Sequence, residues 1–145
     1  MKNKLLLVDD ELDLLVALKQ MLAEPDRDVV TASNGAEALV LIHQQHVHCI
    51  VCDINMPIMN GIELIRKLRS EGNQVPLIFF TGHGNDDMLK QAAQLGAFDF
   101  IDKPNFTDLR EIVSRGLAAG RKASTELPVD SKLSLYRRLL EGFDP

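Results

Sequence analysis

The sequence predicts a doubly wound α/β sandwich: five parallel strands with helices packed on both faces. Three observations carry this. Short apolar runs alternate five times with helix-periodic segments within about 120 residues. The runs are continuously apolar, as strands read when helices cover both of their faces. The segments between them are short and hold one helix each, the crossover that parallel neighbours require.

Leu5-Leu6-Leu7-Val8 is the first strand, and Leu12, Leu15, Val16, Leu18 and Leu22 recur behind it at helical spacing. Val29-Val30-Thr31-Ala32 is the second strand. Its helix opens at Asn34, where Glu37 three residues on suggests a capping box. Cys49 to Cys52 forms the third strand, then a turn holding Pro57 and Gly61 leads into a helix marked by Ile62, Ile65 and Leu68. Leu77-Ile78-Phe79-Phe80 is the fourth strand, followed by a helix with Leu89, Ala92 and Ala93 that ends near Gly96. Phe98 to Ile101 is the fifth, and Leu109, Ile112, Val113 and Leu117 share one face of the last core helix.

The pattern changes near Arg121. Residues 121–130 lack apolar periodicity and contain Ser124, Thr125 and Pro128, so they read as a linker. Beyond it, Leu133, Tyr136, Leu139, Leu140 and Phe143 fit one face of a short helix. The domain boundaries expected are 1–120 for the sandwich and 121–145 for the linker and amphipathic helix.

Composition narrows the function. A net charge of −5 without a basic cluster argues against direct nucleic-acid binding by this segment, which needs cations to displace counterions. Only four apolar residues separate Lys4 from Asp9. A secretory signal needs roughly 7–15 and a membrane span about 20, so a cytoplasmic protein with no membrane contact is expected. Cys49 and Cys52 have C-x-x-C spacing, but on a strand residues three apart point to opposite faces, so neither a shared metal nor a disulfide is expected. His43, His46 and His48 straddle a helix end at offsets that match no closed metal site, and a solvated surface is the expectation.

In an open parallel sheet, ligands bind beyond the carboxyl ends of the strands. The first strand is followed there by Asp9, Asp10 and Glu11, the third by Asp53, the fourth by Thr81 and the fifth by Lys103-Pro104. Clustered carboxylates repel unless a cation intervenes, and oxygen-only donors suit Mg²⁺ better than zinc. A carboxylate beside such an ion is a competent nucleophile towards phosphorus, and a lysine balances the remaining negative oxygens.

Asp9-Asp10, Asp53-Ile54-Asn55-Met56-Pro57 with Gly61, Thr81-Gly82, Gly96-Ala97 and Lys103-Pro104, in this order and each at its strand end, resemble the receiver domain of two-component response regulators over residues 3–120. The resemblance, not the periodicity, implies a flavodoxin-like strand order 2-1-3-4-5. It also implies roles. Asp53 would accept a phosphoryl group from a phosphohistidine on a sensor histidine kinase or phosphotransfer protein. Asp9, Asp10 and Asp53 would hold Mg²⁺ with the backbone carbonyl of Asn55. Lys103 would pair with phosphoryl oxygens, and the Lys103-Pro104 peptide would be cis. Thr81 and Phe100 would be the switch pair, Thr81 moving onto the phosphoryl group and Phe100 turning into the space it leaves. Asn55 and His83 occupy positions that influence the lifetime of the phosphorylated state. The face of the fourth helix, fifth strand and fifth helix would report the change to an output domain or partner protein.

The chain is thus expected to be a switch that catalyses only its own phosphotransfer and autodephosphorylation. A phosphohydrolase with an aspartyl nucleophile is the rival. It would usually carry a second acid two residues after the nucleophile, where Asn55 stands, and cap insertions that these connections lack. A receiver-like module that ignores phosphate fits poorly with the full acid, threonine and lysine set. A nucleotide-binding Rossmann domain lacks its G-x-G-x-x-G turn: Val8-Asp9-Asp10-Glu11 stands there. The apolar face from Leu133 to Phe143 suits a homodimer or partner contact.

Overall fold

The computed structural model describes the backbone of residues 2–141 and the side chains of residues 2–123. Strands β1 (Asn3–Val8), β2 (Arg27–Ala32), β3 (Cys49–Cys52), β4 (Leu77–Thr81) and β5 (Asp99–Asp102) alternate with helices α1 (Leu12–Leu22), α2 (Gly35–Gln44), α3 (Gly61–Ser70), α4 (Asp86–Gln94) and α5 (Phe106–Glu141). The sheet is parallel throughout, in the order β2-β1-β3-β4-β5. β1 lies between β2 and β3, with Leu6 opposite Val30 on one side and Ile50 on the other.

Side-chain alternation along each strand builds two cores. Leu6, Val8, Ile50, Cys52, Leu77 and Phe79 face Ala38 of α2, Ile62, Ile65 and Leu68 of α3, and Ala92 of α4. Leu5, Leu7, Cys49, Val51, Ile78 and Phe80 face Leu15, Leu18 and Leu22 of α1 and Leu109, Val113 and Leu117 of α5. Helices cover both faces, which is why the strands read as unbroken apolar runs. The two cysteines sit in different cores as free thiols; burial pushes Cys49 up to about 12 and raises Cys52 as well, so neither is a ready nucleophile or metal ligand.

Four details differ from the sequence reading. In α1, Leu15, Leu18 and Leu22 are buried, whereas Leu12 is 66% and Val16 59% exposed. At 100° per residue these two are rotated roughly 80–120° from the buried arc, and α1 meets the sheet along that arc alone. Leu89 and Ala93 of α4 are likewise exposed, with Ala92 the buried residue. In α2, Asn34 caps Glu37 N–H at 2.9 Å, but the Glu37 carboxylate accepts from Ser33 Oγ at 2.7 Å, so the reciprocal half of the capping box is missing. The full box stands on α3, between Asn60 and Glu63. Finally, residues 121–130 continue α5 as helix. Arg121, Lys122, Ala123, Glu126 and Leu127 favour helix, which carries the backbone past Leu117, and Pro128 forfeits one ladder bond. Phe143 lies outside the described residues, as do the side chains of Leu133, Tyr136, Leu139 and Leu140.

Candidate functional site

The strand order reverses direction at β1 and β3, and the crevice beyond their carboxyl ends is the expected ligand position. Asp9 and Asp10 follow β1, and Asp53 follows β3. Asp53 N–H donates to the Val8 carbonyl at 2.9 Å and Asp9 N–H to the Ala32 carbonyl at 3.1 Å, so each acid's backbone extends the sheet by one residue. The two carboxylates inherit the position of the most buried part of the fold.

Asp9 and Asp53 are buried and Asp10 is exposed, and each offers a carboxylate oxygen within 4.8 Å of the others. Among the described residues this is the group of potential ligands close enough to share an ion. Lys103 Nζ reaches in from beyond β5, 2.9 Å from Asp9 Oδ2 and 3.3 Å from Asp53 Oδ2, with Glu11 Oε1 at 3.7 Å. The second oxygen of each buried acid is held by backbone: Asp9 Oδ1 accepts from Glu11 N–H at 2.9 Å and Asp53 Oδ1 from Ile54 N–H at 2.7 Å. Burial raises the Asp9 pKa above its usual value against the opposing hydrogen bonds from Lys103 and Glu11, and the Asp53 charge adds to the rise. Burial acts to lower Lys103, but the hydrogen bonds and charges of Asp9 and Asp53 outweigh it and lift the ammonium above 10.5. Lys103 is therefore a fixed cation.

One ammonium facing three carboxylates leaves excess negative charge. The donors are all oxygens, no nitrogen or sulfur ligand belongs to the group, and Asp10 opens to solvent. This donor set fits Mg²⁺, which takes a few carboxylates and keeps several waters.

The loop from Asp53 to Gly61 is closely tied. Gly61 N–H donates to the Ile54 carbonyl at 2.9 Å, and Gly35 N–H at the start of α2 donates to the Met59 carbonyl at 2.9 Å. A Cβ on Gly61 would run into the Asp53 carbonyl oxygen, so only glycine lets α3 begin this close to the acid. Asn55, in this loop, is exposed.

Thr81 ends β4 and is wholly buried; its Oγ1 accepts a long 3.4 Å bond from His83 N–H. His83 itself is exposed. Phe100 on β5 is half-buried, its ring centroid 6.2 Å from that of Phe79. The Lys103-Pro104 peptide is cis, and Lys103 N–H donates to the Thr81 carbonyl at 3.0 Å, joining the ends of β4 and β5.

Asp9, Asp10, Asp53 and Lys103 therefore meet, while Thr81, His83 and Phe100 form a neighbouring group. Two residues make contacts for which the sequence gives no role. Glu11, placed by the sequence among the acids after the first strand, adds a third carboxylate contact to Lys103. Gly84 lies under the Phe100 ring, and nothing local in the sequence marks it.

The histidines form no comparable centre. His43 Nε2 lies 3.0 Å from Glu71 Oε1, His46 and His48 meet edge-to-face, and His48 Nδ1 accepts from Lys4 N–H at 2.9 Å.

Residues 5–114 match the family described as "Response regulator receiver domain". The chain belongs to that family. The receiver is 37% identical over 123 residues to the "Transcriptional regulatory protein CpxR homolog" of Haemophilus influenzae, covering 85% of this chain and 52% of the relative. It is 32% identical over 133 residues to the "Response regulator protein PilR" of Pseudomonas aeruginosa, covering 91% of this chain and 30% of the relative. It thus spans about half or less of the length of these curated relatives. Among solved structures, a response regulator receiver domain protein from Methanospirillum hungatei aligns with a TM-score of 0.78 at 28% identity, over 84% of this chain and 98% of that one. As a receiver, the chain is a module of two-component signalling. No helix among the described residues is long and apolar enough to cross a membrane.

Proposed function

We propose that this receiver takes a phosphoryl group onto Asp53 from the phosphohistidine of a sensor histidine kinase or phosphotransfer protein. The observation that carries the reading is Lys103 Nζ bridging Asp9 and Asp53, with Asp10 alongside. Ile54 N–H holds Asp53 Oδ1, leaving Oδ2 toward the lysine as the nucleophile. The Oδ2–phosphorus bond forms as the phosphorus–nitrogen bond breaks, and the electron pair leaves on the imidazole. Asp9, Asp10, Asp53 and the Asn55 carbonyl would hold Mg²⁺, which when bound would neutralise charge on the transferring oxygens. Lys103 exchanges its carboxylate contacts for phosphoryl oxygens, a point-charge role suited to an ammonium. In autodephosphorylation, water attacks phosphorus and the acyl phosphate opens back to the Asp53 carboxylate; Asn55 and His83 border the path and set its rate.

The added charge, about −1.5 to −2, is stabilised in one of two loop arrangements. Thr81 turns its hydroxyl onto the phosphoryl oxygens and Phe100 occupies the space left. The face of α4, β5 and α5 carries the change to an output domain or partner protein. Residues 1–120 act as the receiver in a cytoplasmic pathway, and 121–145 extend from it, with the Leu133–Phe143 stretch as a homodimer or partner contact.

The test is incubation with Mg²⁺ and a small acyl phosphate, read by intact mass. One phosphoryl group per chain is expected, absent without Mg²⁺ and absent in Asp53→Asn. Unchanged labelling in Asp53→Asn overturns the assignment. Release of many equivalents of phosphate from a generic phosphomonoester would favour a phosphohydrolase.

A further inference from the structure

We infer that Gly84 is a positioning residue for the switch: its missing side chain is the seat of the Phe100 ring in the unphosphorylated state. The inference rests on the switching role proposed above for Thr81 and Phe100. A Cβ built on Gly84 would lie 2.5 Å from Phe100 Cζ, 2.8 Å from Cε1 and 3.3 Å from Thr81 Cγ2. The side chains of both switch residues converge on this one bare Cα. Gly84 does not adopt the left-handed backbone that would itself demand glycine, in contrast to Gly72 and Gly96. An alanine is therefore compatible with the chain path, and what it meets is a movable ring rather than backbone.

The ring has limited room to yield. It packs against the core beside Phe79, which is fully buried, so retreat in that direction is closed. Contacts this short are relieved when the ring leaves its seat or the loop shifts, and the ring's tip is the free end of a rotatable side chain. The loop carrying Gly84 is exposed from Gly82 to Asn85, so its own position is set chiefly by the ring, by Thr81 and by the Asn85 cap on Met88 N–H at 2.9 Å. Glycine at 84 thus stabilises the seated ring, and any Cβ there biases the population towards the ring-inward arrangement before a phosphoryl group arrives. A ligand that needs that arrangement binds more tightly as its starting population rises.

The experiment uses beryllofluoride with Mg²⁺ as the phosphoryl mimic, with calorimetry for affinity and NMR for ring position. In the unmutated chain, cross-peaks between the Phe100 ring and the Gly84 α-protons are expected without mimic and lost with it. Gly84→Ala should lack the seated-ring contact and bind the mimic about fivefold more tightly, the lower end of what relieving an overpacked contact contributes. In a Phe100→Ala background the same substitution should leave affinity unchanged, because no ring remains to unseat.

Equal or weaker binding by Gly84→Ala overturns the proposal, as does a gain that persists without the Phe100 ring, which would assign the effect to loop stiffening. Should Gly84→Ala fail to fold, persistence of the ring–Gly84 cross-peaks in the mimic-bound unmutated chain overturns it independently. No binding of the mimic by the unmutated chain defeats the switching reading itself, and this inference with it.

Discussion

The loops after β3 and β4 each place a functional residue at the same edge of the sheet, yet they are built in opposite ways. The β3–α3 loop carries Asp53 and is pinned along its length: Gly61 to the Ile54 carbonyl, Met59 to the start of α2, and Asn60 with Glu63 in a capping box. The β4–α4 loop follows Thr81, the last residue of β4, and is exposed from Gly82 to Asn85, tied by a 3.4 Å bond and one cap. Each loop has a glycine that excludes a Cβ, but Gly61 faces a backbone carbonyl while Gly84 faces a rotatable ring. On the proposed reading, Asp53 as nucleophile needs one fixed position and Thr81 as switch needs two. A contact that cannot move beside one that can would supply both within one site.

The largest effect that would test this contrast is Gly61→Ala. The new methyl group meets the Asp53 carbonyl, and relief requires backbone displacement at the acid. We expect a loss of about 1–3 kcal/mol in urea unfolding, the range for overpacked sites, together with slowed phosphorylation. Gly84→Ala should fall below that range in stability. Equal losses in the two variants would erase the distinction between the loops.

A smaller effect concerns Ile58, which sits in the pinned loop at φ 71° with 81% of its surface exposed. A β-branched residue in the left-handed region is strained, whereas asparagine tolerates it. Ile58→Asn is expected to raise stability by about 1 kcal/mol, since little burial is lost. An unchanged unfolding midpoint would mean that the loop stores no such strain.

The smallest effect lies at the opposite edge of the sheet. Burial, then the charges of His46, Arg121 and Lys4, hold His48 below its ordinary 6.5. Its Nδ1 accepts the Lys4 N–H, a role the protonated ring cannot fill. The unfolded chain therefore binds the proton more readily, so stability falls as pH drops from about 6.5 towards the folded value and is regained above it. Urea midpoints in mildly acid and neutral buffer should show the fall, and His48→Gln should flatten it.

Much of this was legible in the residues. The five strands are legible because strands buried on both faces need unbroken apolar runs, and the meeting of Asp9, Asp10, Asp53 and Lys103 is legible because each lies just beyond the end of a strand. The exposure of Leu12 and Val16 was not legible: helical periodicity shows that a stripe exists but not how much of it a neighbouring layer covers. Spacing alone points to a capping box at Asn34 and Glu37, but Ser33 offers Glu37 a competing hydroxyl. The helical path of residues 121–130 is not legible from periodicity, because backbone helix propensity needs no apolar stripe.

Local order along the chain determined the elements, the two buried faces and the chemical identity of each strand end, because side-chain periodicity and turn chemistry act over a few residues. Tertiary structure decided that Lys103 stands between Asp9 and Asp53, and that Phe100 rests on Gly84. These contacts join residues from different strand ends, and their geometry is set by how the layers pack.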